Sequence, residues 1–134
     1  MYASDRATIR RYSLGKGLSD EHASKLFLED VIIAANMQDR VAVEAFNKTA
    51  HYIGLGIANI IRSFDPEYVI IGGAITQMWD LIYPNVVATV NNRGFFGHQR
   101  NTKILPTSLS GNPPLLGAAA LSIREIFTDY RIAL

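Results

Sequence analysis

The residues best placed to meet a ligand are Gly72-Gly73-Ala74, which follow the β-branched run Val69-Ile70-Ile71. A strand ending in glycines presents bare backbone, and α/β proteins use such junctions to bring their main chain close to a ligand. That chemistry is contact rather than bond-making. Asp65 and Glu67 are the nearest carboxylates, but they flank the helix-stopping Pro66, where capping and solvation are the expected roles. Leu14-Gly15-Lys16-Gly17-Leu18 superficially suggests a phosphate loop, yet no strand precedes it and the Gly-Lys-Ser/Thr ending is missing, so it reads as a break between helices. His22, His51 and His98 are isolated and lack metal-ligand spacing. The chain has no cysteine, hence no disulfide framework and no thiolate metal site. No residue of this chain is assigned a catalytic role.

A length of 134 residues, 49% of them hydrophobic and 19% charged, suits one compact domain with a core and argues against disorder. A net charge of +1 gives no reason to propose a nucleic-acid or membrane surface. No apolar run approaches the roughly 20 residues of a spanning helix. The opening residues lack the pattern of a signal peptide. A reducing cytoplasm fits the absence of cysteine.

The elements that must position the glycine turn follow from periodicity and punctuation. A first helix is expected up to Tyr12, with Ser4 as its cap, and a second helical stretch from Ser19, carrying Leu26, Val31, Ile32 and Ala35. Asn36-Met37-Gln38-Asp39 reads as a turn and cap. A long helix from Arg40 to Arg62 follows, with one buried stripe of Val43, Phe46, Ala50, Ile53, Ile57, Ile60 and Phe64. Gly54 and Gly56 each cost that helix roughly 1 kcal/mol relative to alanine, so the helix is expected to need close approach by a neighbouring element. Pro66 ends the helix. Tyr68 to Ile71 reads as a strand of a parallel sheet, buried on both faces. Gln77 to Asn91 returns as a helix in which Pro84 marks a first turn or a kink. Gly94-Phe95-Phe96-Gly97 forms an aromatic loop. Thr102 to Leu109 gives a second strand, with Pro106 marking an edge or a bulge. Ser110 to Pro114 is a loop, and Leu115 to Tyr130 a last helix opening on Gly117, Ala118, Ala119 and Ala120. Two strands make no stable sheet alone, so other chains complete it or this is the second half of something larger.

At this point the residues resemble the ROK family of repressors, open reading frames and kinases. The resemblance rests on Tyr52-Ile53-Gly54-Leu55-Gly56-Ile57-Ala58-Asn59-Ile60-Ile61, Phe64-Asp65-Pro66-Glu67, Val69-Ile70-Ile71-Gly72-Gly73-Ala74-Ile75 and Leu115-Leu116-Gly117-Ala118-Ala119-Ala120. Tyr2-Ala3-Ser4 is similar to the segment just after the family's cysteine-rich zinc motif, and Asp5 to Tyr12 looks most like the xylose-repressor branch. The resemblance implies an α/β fold: the C-terminal part of an actin-like ATPase (ribonuclease-H-like) lobe, helix-rich with few strands. By the same resemblance Gly72, Gly73 and Ala74 form the turn on the adenosine side of ATP, with Ala74 where kinases usually have glycine. Gly117, Ala118, Ala119 and Ala120 match the small-residue helix at the hinge between lobes.

What phosphoryl transfer needs lies elsewhere. The family's phosphate loops, catalytic aspartate, sugar motif and zinc ligands belong upstream of Met1, which stands where the glutamate after the zinc motif would be. That position implies an artificial boundary or a truncated reading frame. The resemblance therefore implies one partial domain spanning residues 1–134. It would serve the effector-binding and oligomerisation lobe of a sugar-responsive repressor whose operator-binding helix-turn-helix is absent here. No cofactor is expected on this chain itself, with ATP in doubt because of Ala74. A homo-oligomer is expected, and no membrane partner. The competing expectations are the C-terminal half of an ATP-dependent sugar kinase of the same family, and a self-associating interaction module without a ligand.

Overall fold

A computed structural model describes residues 3–93 and 102–108. The element order is α1 (Asp5–Lys16), α2 (Asp20–Ser24), α3 (Leu28–Asn36), α4 (Arg40–Phe64), β1 (Tyr68–Ile71), a 3-10 turn (Ala74–Met78), α5 (Trp79–Arg93) and β2 (Lys103–Pro106).

Helix α1 starts where Ser4 caps it, the Ser4 hydroxyl accepting from the Ala7 amide at 3.2 Å. It runs further than the sequence pattern implies. Gly15 and Lys16 belong to the helix, and the break is Gly17, whose φ of 65° makes a left-handed C-cap. Position 15 is a glycine within the helix because a Cβ there would sit 2.5 Å from Val41 Cγ1, so α1 crosses the start of α4 over bare backbone. The stretch from Ser19 to Ala35 is two helices, not one. Phe27 is extended (φ −106°, ψ 165°), and its amide donates to the Asp30 carboxylate at 2.9 Å, which starts α3 afresh. Ser19 holds the N-cap position of α2, but its hydroxyl bonds the His22 ring nitrogen at 2.8 Å instead of a backbone amide.

The turn before α4 is as expected. Gln38 takes φ 62°, and the Asp39 carboxylate accepts from the Val41 and Ala42 amides at 2.9 and 3.2 Å. Helix α4 has 25 residues, about 37 Å at 1.5 Å per residue. It outruns the core. Phe46, Ala50 and Ile57 are buried and Val43 and Ile53 pack against them, but Ile60 and Phe64 are exposed, so the expected stripe fails over its last turns. Gly54 does meet a neighbour: a Cβ there would lie 2.6 Å from Thr89 Cβ and 2.9 Å from the Val86 carbonyl oxygen of α5. Gly56 meets nothing within 4 Å among the described residues, so the expected close approach is made at Gly54. Asp65 closes the helix in the left-handed region (φ 48°) just before Pro66.

Strand β1 has the expected bounds and is parallel to β2, in register Tyr68↔Lys103, Val69↔Ile104, Ile70↔Leu105 and Ile71↔Pro106. Burial on both faces is overturned. Val69, Ile71 and Ile104 face the core, while Tyr68, Ile70 and Leu105 on the other face are exposed. The run is apolar throughout because a parallel strand requires it, but no described element covers the outer face. Strand β2 is shorter than Thr102 to Leu109, and Pro106 ends it rather than lying at its middle. Lys103 and Thr107 donate to the Glu67 and Ile71 carbonyls at 2.9 and 2.7 Å. The Pro106 nitrogen therefore points away from β1, where its missing N–H costs no ladder bond. Helix α5 begins at Trp79 after the 3-10 turn, and Pro84 lies inside it, past the first turn. Its Ile82 and Val86 are fully buried, α5 packs against α4, and both residues share one core with the fully buried Phe46. The expected loops at 94–97 and 110–114 and the expected last helix at 115–130 lie outside the described residues.

Candidate functional site

The glycine turn sits at the carboxyl end of β1. Ile71 hands the chain to Gly72 and Gly73, both exposed, and Gly73 takes φ 100°, ψ 173°. That conformation is essentially restricted to glycine. The 3-10 turn then winds on the Gly73 carbonyl, which accepts from the Thr76 amide at 3.1 Å and the Thr76 hydroxyl at 2.8 Å.

The three positions of the turn have three different reasons for being small. Gly73 is fixed by its dihedrals, and nothing lies within 4 Å of a Cβ built there. Gly72 has no positive φ, and its nearest neighbour would be Thr107 Cγ2 at 3.9 Å, an ordinary contact. Neither crowding by a described residue nor strain demands glycine at 72. Ala74 is half-buried and packs against the core, so its methyl is used in packing, while the solvent side of the turn is the backbone of Gly72 and Gly73.

The flanking acidic residues serve the fold through their backbone. Asp65 is the C-cap of α4, and the Glu67 carbonyl holds the Lys103 amide. Among the described residues, no group of three or more His, Cys, Asp or Glu could hold a metal ion. His51 lies 3.1 Å from the Thr89 hydroxyl and edge-on to Tyr52, tying α4 to α5. His98 and the small-residue run Gly117, Ala118, Ala119 and Ala120 lie outside the described residues.

Sequence reasoning missed a polar seam between α1 and α4. Thr8 and Thr49 are buried with their hydroxyls 2.8 Å apart, Arg11 donates to the Thr49 hydroxyl at 2.8 Å, and the Arg11 guanidinium lies 5.1 Å from the Tyr52 ring centre. Thr49 also donates to the Ala45 carbonyl at 3.0 Å. Among the described residues every buried side-chain polar atom has a partner. The spacing of three between Thr8 and Arg11, and between Thr49 and Tyr52, puts each pair on one helix face, but nothing in the sequence says that the two faces meet. A second missed tie is the ion pair of exposed Lys16 with half-buried Asp39. The hydrogen bond to Lys16 holds the Asp39 carboxyl below its usual range, helped by the Ala42 and Val41 amides, and the same bond raises Lys16.

This arrangement of two long packed helices, a parallel βαβ unit and a glycine turn at the strand's carboxyl end is the C-terminal part of an actin-like ATPase lobe. A *Streptomyces griseus* ROK family glucokinase, crystallised with glucose and AMPPNP, is similar over 90% of this chain and 42% of its own, with TM-score 0.73 and 27% identity. The ROK family model matches residues 1–125, and the chain belongs to that family. The xylose repressor of *Bacillus subtilis* is 28% identical over 92% of this chain and 30% of its own length. The xylose repressor of *Caldicellulosiruptor bescii* is 28% identical over 96% of this chain and 35% of its own. The chain thus spans about a third of the length of these curated relatives. Among the described residues no helix is long and apolar enough to cross a membrane.

Proposed function

We propose that residues 1–134 are one partial domain, the C-terminal segment of a sugar-responsive ROK-type transcriptional repressor, and contribute to its effector-binding and oligomerisation lobe. The observation that carries this reading is the similarity to xylose repressors along nearly the whole chain. In this reading a sugar binds the longer protein, a lobe rearrangement transmits the signal, and affinity for an operator changes. Such coupling requires that the sugar bind the two lobe arrangements with different affinity. Operator contact belongs to a helix-turn-helix outside this chain, and a cytoplasmic location belongs to the same reading.

The second reading is the C-terminal half of an ATP-dependent sugar kinase. It is favoured by the likeness to the glucokinase and by the open backbone of Gly72. Here Gly72, Gly73 and Ala74 would border the adenosine, with the Ala74 methyl turned to the core where it does not obstruct. Phosphate and metal chemistry would come from residues outside this chain.

The test is operator retention by the full-length protein under xylose titration, run beside a coupled assay for sugar phosphorylation. Release of DNA by xylose without phosphorylated product is the expected result. Sugar phosphorylation would replace the repressor reading with the kinase. A Gly72→Val variant adds the nucleotide arm: its valine should abolish ATP binding measured by calorimetry if the turn contacts adenosine, with the fold unchanged by circular dichroism.

A further inference from the structure

The chain is held on both sides of Gly72-Gly73, and the two holds differ in kind. On the entry side the Ile71 carbonyl accepts from the Thr107 amide at 2.7 Å, a backbone bond that follows from the parallel pairing of β1 with β2. On the exit side the Gly73 carbonyl accepts twice, from the Thr76 amide at 3.1 Å and from the Thr76 hydroxyl at 2.8 Å. The amide bond belongs to the 3-10 turn and would form with any residue but proline at position 76. The hydroxyl bond depends on the side chain, and threonine is suited to it. A β-branched side chain has few χ1 choices, and its hydroxyl readily bonds a backbone group three residues back.

This second bond acts on one peptide plane. The peptide is planar and trans, so the direction of the Gly73 carbonyl sets ψ of Gly73, here 173°, and turns the Ala74 N–H the opposite way. Gly73 needs the restraint more than another residue would. Its φ of 100° lies where essentially glycine alone is found, and glycine loses more conformational freedom on ordering than any other residue. Ala74 packs against the core and Ile75 is buried, which holds the chain beyond the turn. A peptide plane can still rotate about the line joining its two Cα atoms. The Thr76 hydroxyl opposes that rotation.

We propose that Thr76 is a positioning residue of the glycine turn, its hydroxyl holding the Gly73 peptide in the orientation in which Gly72 and Gly73 present their backbone to the adenosine of a bound nucleotide. The inference deepens the reading in which this turn borders adenosine, and rests on it. Thr76 acts through the Gly73 carbonyl. A turn already in its bound shape has no ordering cost left to meet on binding, so the restraint appears as affinity.

The experiment titrates ATP into the full-length protein by calorimetry, unaltered and as Thr76→Val and Thr76→Ser. Valine keeps the shape of threonine without the hydroxyl, and serine keeps the hydroxyl without the methyl. Thr76→Val should weaken ATP binding by about fivefold, the equivalent of one ordinary hydrogen bond, while Thr76→Ser stays within about twofold. Hydrogen exchange without ATP reads the turn directly. The amide of residue 76 donates to the same carbonyl, so its protection should fall in Thr76→Val and hold in Thr76→Ser. Absence of ATP binding by the unaltered protein would overturn the adenosine reading and this inference with it. Equal ATP affinity in all three proteins would overturn the role of Thr76 alone and leave that reading standing. Equal weakening by valine and serine would also overturn it, assigning the effect to the methyl. A lower unfolding midpoint in Thr76→Val with unchanged ATP affinity would reduce the hydroxyl to a stabilising contact.

Discussion

Phe46, Ile82 and Val86 in the helical core are fully buried, whereas Tyr68, Ile70 and Leu105 on the β1–β2 ribbon keep 52%, 67% and 42% of their exposure. The two regions are equally apolar in sequence. Helices α4 and α5 carry an apolar face and find each other within the described residues. The ribbon carries two apolar faces and, among the described residues, is covered on one. A helix pair can satisfy its backbone internally and bury a stripe against its neighbour, so the core closes locally. A parallel strand needs partners on both edges and both faces, and two strands supply too few. The glycine turn belongs to the second region, at the end of the strand whose outer face no described element covers.

The contrast can be tested by substitutions on either side of it. The largest effect is expected at Phe46→Ala, which empties the centre of the core and should cost about 3–5 kcal/mol in urea denaturation. A cost near zero would mean that the helical core is no better closed than the ribbon. Next is Gly54→Ala, whose methyl would meet Thr89 and the Val86 carbonyl. It should destabilise by about 1–3 kcal/mol despite alanine's better helix propensity. Gly56→Ala, two residues along on an open face, should stabilise by about 0.5–1 kcal/mol. The same change in one helix, with opposite sign, separates the packed side of α4 from its free side.

The smallest effect concerns the Lys16–Asp39 tie at the far end of the core. Because Asp39 is depressed in the folded state, its contribution is present above the usual aspartate value and is lost as pH falls through the folded one. Because Lys16 is raised, its share is present below the usual lysine value and is lost as pH rises through the raised one. Asp39→Asn keeps a capping acceptor and removes the charge. Its stability deficit should therefore be present at neutral pH and vanish on acidification, read from denaturation midpoints across an acid titration. A deficit that persists in acid would assign the effect to the cap rather than to the ion pair.

Much of this was legible residue by residue. Ser4 and Asp39 as caps, Pro66 as a stop and the bounds of β1 all follow from local rules that need no knowledge of neighbours. Local rules fail where an outcome depends on what lies alongside. The stripe on α4 was extended to Ile60 and Phe64 because periodicity does not say where the core ends. β1 was expected to be buried on both faces because an apolar strand does not say whether its cover is nearby. Gly54 and Gly56 look alike in sequence, and only the passage of α5 distinguishes them. Gly15 reads as part of a break because no local signal says that Val41 needs the space of its missing side chain.

By itself, the sequence determined the long helix, the strand, the glycine turn after it and the ROK resemblance, because these depend on short-range sterics and on motif identity. Tertiary structure alone decided which glycines are required, that Thr8, Arg11, Thr49 and Tyr52 form one seam, and that the Ala74 methyl packs into the core. It also decided that one edge and one face of β1 stay open among the described residues. Each of those is a property of two surfaces brought together, and a one-dimensional pattern describes only one of them.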